Sequence, residues 1–228
     1  MFGTFLRESL VNRLLPSDCC LCGSVARNGH FPICAVCAES LPRQDAAVCP
    51  CCALPTLDGR ICGHCLAKPP AFDATRALYH YDFPADVLVR LFKYRHRLSL
   101  AGFFVHEAMG LPDADLVLPM PLHPRRLFER GFNQALEIAR PLARAAGLPL
   151  DTTGVVRERY TVPQASLGRR RRLANPRGVF ACRRRFDGLR ILAVDDVMTT
   201  GASLDALAHC LKENGAAAVY NFVLARAV

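Results

Sequence analysis

The 228-residue sequence lacks the features of membrane-spanning and exported chains. It contains no run of eighteen or more apolar residues, which excludes a helix that could cross a bilayer. Residues 1–16 lack the apolar core of a secretory signal and include Glu8. Hydrophobic residues make up 51% and charged residues 21%, which excludes disordered, collagen-like and coiled-coil classes. We therefore expect a globular, cytoplasmic protein without membrane insertion.

Cysteine, in contrast, is abundant, and ten of the twelve cysteines lie between Cys19 and Cys65. Without an export signal, this usage predicts metal binding rather than disulfides. Four Cys-x-x-Cys pairs are present; eleven residues separate the first two pairs and nine the last two. This spacing predicts a tandem duplication of zinc ribbons, each holding one structural Zn²⁺ through four thiolates. The predicted ligands are Cys19, Cys22, Cys34 and Cys37 in one site, and Cys49, Cys52, Cys62 and Cys65 in the other.

Several details of the metal sites stay open at this point. Cys20 and Cys51 offer alternative registers, His30 and His64 are possible substitute ligands, and the pairs could also interleave. A redox role for the Cys-x-x-Cys pairs is disfavoured, because four copies occur outside a strand–helix context. Sites made only of cysteine leave no position for a reactive water, so we expect structural zinc.

The two halves of the chain differ in pattern. Residues 1–70 form the cysteine-rich module, which ends at Lys68-Pro69-Pro70, and 71–228 alternate strand-like and helix-like segments. We predict an α/β domain with a mostly parallel sheet flanked by helices, because Ile191–Val194 is continuously apolar. Predicted strands are 77–81, 115–118, 190–194 and 217–224; predicted helices are 84–95, 100–109, 133–146, 167–174 and 203–214, with an amphipathic helix over 2–15.

The formal charge of +9 is also local. Residues 157–190 hold eleven arginines against Glu158 and Asp187, while the remaining chain has 18 basic and 18 acidic residues. A solvated surface is the ordinary explanation of such a run, but its concentration on an otherwise neutral protein favours a polyanion, nucleic acid included.

An apolar strand at 191–194 leads into Asp195 and Asp196, and a short Thr/Gly/Ser loop follows before a helix. Ligands bind at the carboxyl ends of strands in open α/β sheets. Backbone N–H groups and hydroxyls of the loop suit a phosphate, and adjacent carboxylates suit a ribose diol. The lysine of a Walker A loop is absent, and helix capping is the simpler alternative for these residues.

The segment Ile191–Ser203 resembles the signature of the type I phosphoribosyltransferases, which bind 5-phosphoribosyl 1-pyrophosphate (PRPP). By this resemblance Asp195 and Asp196 would hold the ribose hydroxyls and stabilise a cationic sugar during catalysis. The 5'-phosphate would be held by Thr199, Thr200, Gly201, Ala202 and Ser203.

Two further motifs narrow the resemblance: Pro119-Met120-Pro121-Leu122-His123-Pro124-Arg125-Arg126, followed by Arg130-Gly131-Phe132-Asn133-Gln134, and the stretch 164–180. With the cysteine module they are similar to the ComF (ComFC/GntX-like) competence family. The resemblance implies a double zinc ribbon before a phosphoribosyltransferase domain, binding of PRPP with Mg²⁺, and handling of single-stranded DNA during natural transformation. It also implies other competence or recombination proteins as partners.

By position in that family, the pyrophosphate candidates are Arg125, Arg126 and Arg130, and the flap candidates are Arg169, Arg170 and Arg172. Arginines spaced by 100° in a helix over 167–174 cannot all reach one phosphate, and at least one of the first three is expected to face solvent. Asn133 and Gln134 could equally cap the following helix.

Three functions remain in competition at the level of the sequence. The chain could transfer a phosphoribosyl group to an acceptor that the sequence does not reveal, or could bind nucleic acid with PRPP as a regulatory ligand or with a vestigial site. It could also be a salvage-type phosphoribosyltransferase that acts on a nucleobase or other small acceptor. No acceptor pocket is recognisable in the sequence, so turnover stays open.

Overall fold

The computed structural model describes residues 18–26, 31–44, 47–108, 110–158 and 178–228. The helices predicted over 2–15 and 167–174 lie outside these ranges, as do His30 and Arg169, Arg170 and Arg172.

A parallel sheet forms the centre of the molecule. Its strands are β1 (Ala74–His80), β2 (Leu116–Pro119), β5 (Arg190–Met198) and β6 (Ala218–Arg226), and a separate antiparallel hairpin consists of β3 (Val155–Arg157) and β4 (Phe180–Cys182). The strand order is β1-β6-β5-β2, and every pairing in this sheet is parallel. The predicted α/β class with a parallel sheet is therefore confirmed.

Seven helices are described. They are α1 (Ala35–Glu39), α2 (Gly63–Ala67), α3 (Ala85–Tyr94), α4 (Leu100–His106), α5 (Pro124–Arg130), α6 (Gln134–Ala146) and α7 (Ala202–Glu213). The four longer helices in the described part of the sheet domain match the predicted segments. Helix α5 is not among the predicted helices. It forms because Pro124 occupies its first position, His123 caps it through Nδ1 and Gly131 ends it with φ of 77°.

Both faces of the sheet are covered. Along β5, Leu192 and Val194 pack into one hydrophobic cluster with helices α3, α4 and α6, and Ile191 and Ala193 pack into a second cluster with α7. Successive strand residues point to opposite faces, so the two clusters lie on opposite sides of the sheet. Strand β5 is covered on both faces, which explains why residues 191–194 are all apolar.

Strand β5 extends to Met198, four residues beyond its predicted end. It does so because β6 is equally long and pairs with it up to Met198 and Arg226. The acidic pair thus lies within the paired strand, on rigid backbone. Among the described residues, no helix has the length and apolar character needed to cross a bilayer.

Candidate functional site

Asp195 and Asp196 lie at the carboxyl end of β5, at the floor of a pocket of about 210 Å³. The loop 199–203 forms one wall of this pocket, and the segment between β2 and α6 forms another. Lys93 from α3 and Arg157 from β3 complete the lining. Four distant segments of the chain therefore converge where open α/β sheets bind their ligands.

The acidic pair is closely surrounded by protein. Burial and the neighbouring Asp196 carboxylate raise the pKa of Asp195 to about 7, although this side chain keeps a small face toward the pocket. Its Oδ1 accepts a hydrogen bond of 2.9 Å from the backbone N–H of Asp196. Lys93 Nζ lies 3.1 Å from Asp196 Oδ1. Burial opposes the charge of Lys93, but Asp196 outweighs it, so the pKa of Lys93 is raised.

The loop 199–203 has the form expected of a phosphate cradle. Thr199 and Thr200 are exposed to the pocket side, and Thr200 Oγ1 lies 3.4 Å from the Ala202 backbone nitrogen. Gly201 takes a φ of 78°, in the left-handed region. A Cβ at this position would lie 2.6 Å from Met198 Cε and 3.7 Å from the Phe72 ring, so a side chain there is disfavoured by strain and by space. Helix α7 begins immediately after this glycine.

Of the three arginines proposed for pyrophosphate, the structure brings two into the pocket. Arg126 and Arg130, one helical turn apart on α5, both line it. Arg125 does not; its Nε lies 3.1 Å from Glu129 Oε1 on the outer side of the same helix. This agrees with the expectation that not all three could share one anion.

Asn133 and Gln134 play different parts in the structure. Asn133 caps α6: its Oδ1 accepts from the Ala135 N–H at 3.0 Å, and its Nδ2 donates to the Met120 carbonyl. Gln134 is 1% exposed and lines the pocket, where its Oε1 accepts from Arg130 at 2.9 Å. Its Nε2 is buried and has no hydrogen-bond partner among the described residues.

Several arginines of the basic segment are neutralised by acids. Arg184 pairs with Asp151 at 2.7 Å. Arg185 pairs with Asp187 at 2.6 Å. Arg190 pairs with Asp115 at 2.8 Å. In contrast, Arg157 extends over the Phe180 ring toward Asp195, and burial lowers its pKa.

The eight predicted metal ligands form two groups. One contains Cys19, Cys22, Cys34 and Cys37; the other contains Cys49, Cys52, Cys62 and Cys65. Within each group all Sγ atoms lie within 4.8 Å of one another, with 3.7 Å between Cys22 and Cys34 and 3.6 Å between Cys52 and Cys62. Zn–S bonds of about 2.3 Å in a tetrahedron require Sγ–Sγ separations of about 3.8 Å, so both groups fit Zn²⁺. The pairs are used in sequence order and not interleaved.

The two groups share one local geometry. Gly23 N donates to the Cys19 carbonyl at 2.9 Å, and Ala53 N donates to the Cys49 carbonyl at 2.8 Å. Both Gly23 and Ala53 have positive φ. The third cysteine of each group, Cys34 or Cys62, is the residue at the start of a five-residue helix. The structure thus repeats the duplication that the spacing predicted.

Comparison with known proteins agrees with these features. A family model described as a double zinc ribbon domain matches residues 10–66. A DNA utilization protein YhgH of Salmonella typhi is 34% identical over 93% of this chain and 98% of its own length. Competence protein F of Haemophilus influenzae is 30% identical over 73% of this chain and 78% of its own length. The chain belongs to the ComF family.

Solved structures that resemble this ComF-family chain include the glutamine PRPP amidotransferase from B. subtilis complexed with ADP and GMP. The likeness has a TM-score of 0.38 and 22% identity, and it covers 56% of this chain and 25% of the other. A purine phosphoribosyltransferase from Pyrococcus horikoshii aligns with a TM-score of 0.33 and 14% identity, over 68% of this chain and 91% of the other.

Sequence reasoning missed two residues of the ComF-family pocket. Lys93 follows the buried Phe92 in α3 and belongs to no recognisable motif. Arg157 was counted only as one charge in the basic segment, yet it lies on β3 and lines the pocket. Neither residue is near the acidic pair in sequence, so only the topology brings them to it.

Proposed function

We propose that this chain binds PRPP together with Mg²⁺ in the pocket above β5 and also binds single-stranded DNA, in the cytoplasm. The observation that carries the proposal is the division of charge within one pocket. Carboxylates occupy its floor, while cationic side chains and a backbone loop with a helix start form its walls. A phosphorylated sugar needs both kinds of group.

Each part of PRPP has matching groups in the pocket. The ribose hydroxyls would donate to Asp195 and Asp196, and the 5'-phosphate would accept from the loop 199–203. The pyrophosphate would face Arg126 and Arg130. Arg130 is held toward this wall by its hydrogen bond to Gln134 Oε1. Mg²⁺ bound with the pyrophosphate would neutralise part of the negative charge of that group.

Direct binding measurements test the site. We expect calorimetry to show PRPP–Mg²⁺ binding that is lost when Asp195→Ala and Asp196→Ala are combined, and that weakens at least tenfold in Arg126→Ala. Arg125→Ala is the matched control, because it lies on the same helix but faces Glu129. Equal losses in the two arginine variants would contradict the assignment of the pyrophosphate wall.

A second candidate function is phosphoribosyl transfer to a nucleobase or another small acceptor. A groove of about 760 Å³ opens beside the pocket and shares Pro121, Leu122 and Arg157 with it. Its walls include apolar residues of β2, α5 and α6, which suit a flat ring. Release of pyrophosphate from PRPP in the presence of single-stranded DNA or free nucleobases would show turnover. A bound but unchanged PRPP would show a binding protein.

Binding of single-stranded DNA is supported by the charge of the chain and by relatives whose names refer to DNA utilization and competence. We expect a labelled oligothymidylate to bind with affinity that falls steeply with salt. Replacing Arg169, Arg170 and Arg172 with glutamine should weaken this binding. The control replaces Arg184 and Arg185, whose charges Asp151 and Asp187 already offset. An equal or greater loss of affinity in the control variant would contradict the assignment of Arg169, Arg170 and Arg172 to DNA binding.

A further inference from the structure

Arg226, the last residue of β6, connects the second cysteine group to the loop that forms the phosphate cradle. We infer that Arg226 is a positioning residue through which the second metal site (Cys49, Cys52, Cys62 and Cys65) holds the phosphate loop (199–203) in its binding shape. The inference rests on the proposed phosphate-binding role of that loop. It assigns the second site a task beyond stabilising its own ribbon.

The hydrogen bonds of Arg226 show the connection directly. Its side chain is buried, with only 4% exposure. Nε donates to the carbonyl of Cys52 at 2.8 Å, which is the backbone of a predicted metal ligand. Nη1 donates to the carbonyls of Met198, at 3.1 Å, and of Thr199. One rigid guanidinium thus fixes a ribbon and the first residue of the phosphate loop together.

The charge environment explains why an arginine can be buried here. Four thiolates around one Zn²⁺ carry a net charge of −2, which favours a cation close to the second site. Arg226 supplies that cation and directs its remaining donors at the loop carbonyls. An apolar replacement would remove the side-chain donor from the carbonyls of Cys52 and Thr199, while the Met198 carbonyl would keep the Ala227 N–H at 2.9 Å.

A second contact joins the same two parts. The ring of Phe72 lies 3.7 Å from the position of a Cβ on Gly201, so it packs against the backbone of the loop. The Phe72 carbonyl accepts from Cys51 Sγ at 3.9 Å. Cys49, Cys52, Cys65, Phe72 and Met198 all belong to one hydrophobic cluster. The second ribbon and Phe72 therefore pack together against the phosphate loop.

The first cysteine group provides a control within the same chain. Cys19 packs into the cluster on the other face of the sheet, with residues such as Leu192 and Phe222. Cys34 and Cys62 hold equivalent places, each at the start of a five-residue helix. A decrease in overall stability should follow the loss of metal from either site. An effect on the phosphate loop that passes through Arg226 should follow only from the second site.

The test uses the full-length, zinc-loaded protein and two readouts. Calorimetry with ribose 5-phosphate probes the loop without pyrophosphate or Mg²⁺, and hydrogen exchange reports on the backbone amides of 199–203 directly. We expect Arg226→Met to weaken ribose 5-phosphate at least tenfold and to accelerate loop exchange, with exchange in α4 unchanged. Arg226→Lys should rescue only part of the loss, because one ammonium cannot reproduce the guanidinium fork.

The metal side is tested with Cys62→Ser and Cys34→Ser. We expect Cys62→Ser to accelerate exchange in the loop more than exchange in α4, and Cys34→Ser to accelerate the two to the same extent, with metal analysis showing the loss from each site. Equal effects of the two variants, or wild-type loop exchange in Arg226→Met, would overturn the inference. If the wild-type protein bound no ribose 5-phosphate, the proposed function would fail, and the exchange readout would still decide the role of Arg226.

Discussion

At the scale of single residues, Asp195 shows the cost of burying a carboxylate beside another. The acid lies next to a second carboxylate and is enclosed by protein, and Lys93 and Arg157 offset part of the two charges. The pKa of Asp195 rises from 3.8 to about 7 as a result. A folded protein that holds a proton more tightly than the unfolded chain loses stability as the pH rises between those two values. This acid therefore lowers the stability of the folded protein near neutral pH.

We expect Asp195→Asn to raise the melting temperature at pH 8 and to change it little at pH 4.5. The gain is of the order of a few kcal/mol by the linkage between pKa and stability, hence a rise of several degrees. Thermal melts at both pH values measure it. Asp113→Asn is the control, since Asp113 is almost fully exposed. A variant that is less stable than the wild type at pH 8 would contradict the assigned direction.

At the scale of secondary structure elements, local signals and topology contribute differently. The acidic pair and the phosphate loop could be predicted because they occupy one continuous segment of thirteen residues. Helix α5 is also encoded locally, by Pro124 at its start and Gly131 after its end, although it is not among the predicted helices. Lys93 and Arg157 could not be assigned to the pocket, because α3 and β3 reach it only through the order of strands in the sheet.

Strand β4 and helix α7 provide a prediction at this scale. Cys182 and Cys210 lie outside the metal sites, and their Sγ atoms are 3.1 Å apart. The hydrogen bond between the thiols lowers the pKa of Cys210 and raises that of Cys182. We expect a hydroperoxide to oxidise the Cys210 thiol to a sulfenic acid. The Cys182 thiol then attacks the sulfenic sulfur, water is released and a disulfide forms.

Mass spectrometry of digested protein should find the linked peptide, with a loss of two hydrogens, and a dithiol reductant should reverse it. Cys210→Ser is the control and should give no link to Cys182. Oxidation that reached the cysteines of the metal groups while this pair stayed reduced would contradict the proximity of β4 and α7.

At the scale of the whole molecule, folding redistributes the positive charge. Along the sequence the excess belongs to residues 157–190, but Asp151 and Asp115, from outside that segment, pair with Arg184 and Arg190. The pocket gathers cations from α3, α5 and β3 instead, where Asp195 and Asp196 lie. The net charge of residues 157–190 therefore overestimates how much positive charge the described arginines after β4 offer to an anion. It also leaves out Lys93, which lies outside that segment.

The position of the metal sites leads to a prediction for the whole chain. The sequence suggested a module over 1–70, separate from a sheet domain over 71–228. In the structure Cys19 packs into the cluster on one face of the sheet, while Cys49, Cys52 and Cys65 pack into the cluster on the other. The carbonyls of Pro42 and Pro50 also accept from the N–H groups of His80 and Thr75 in β1. Both ribbons therefore complete the cores that the sheet requires.

We expect metal analysis to give two Zn²⁺ per chain, and a strong chelator to unfold the sheet together with the ribbons. Structural zinc contributes roughly 10–16 kcal/mol per site in finger peptides, which exceeds the stability of a typical domain. Calorimetric scans should then show one transition that shifts strongly downward on zinc removal, with near-complete loss of helical circular dichroism. The fragment 71–228 should fail to fold in the same assay. A chelated chain that kept its sheet and helices, or a folded fragment, would show that residues 1–70 are an independent module.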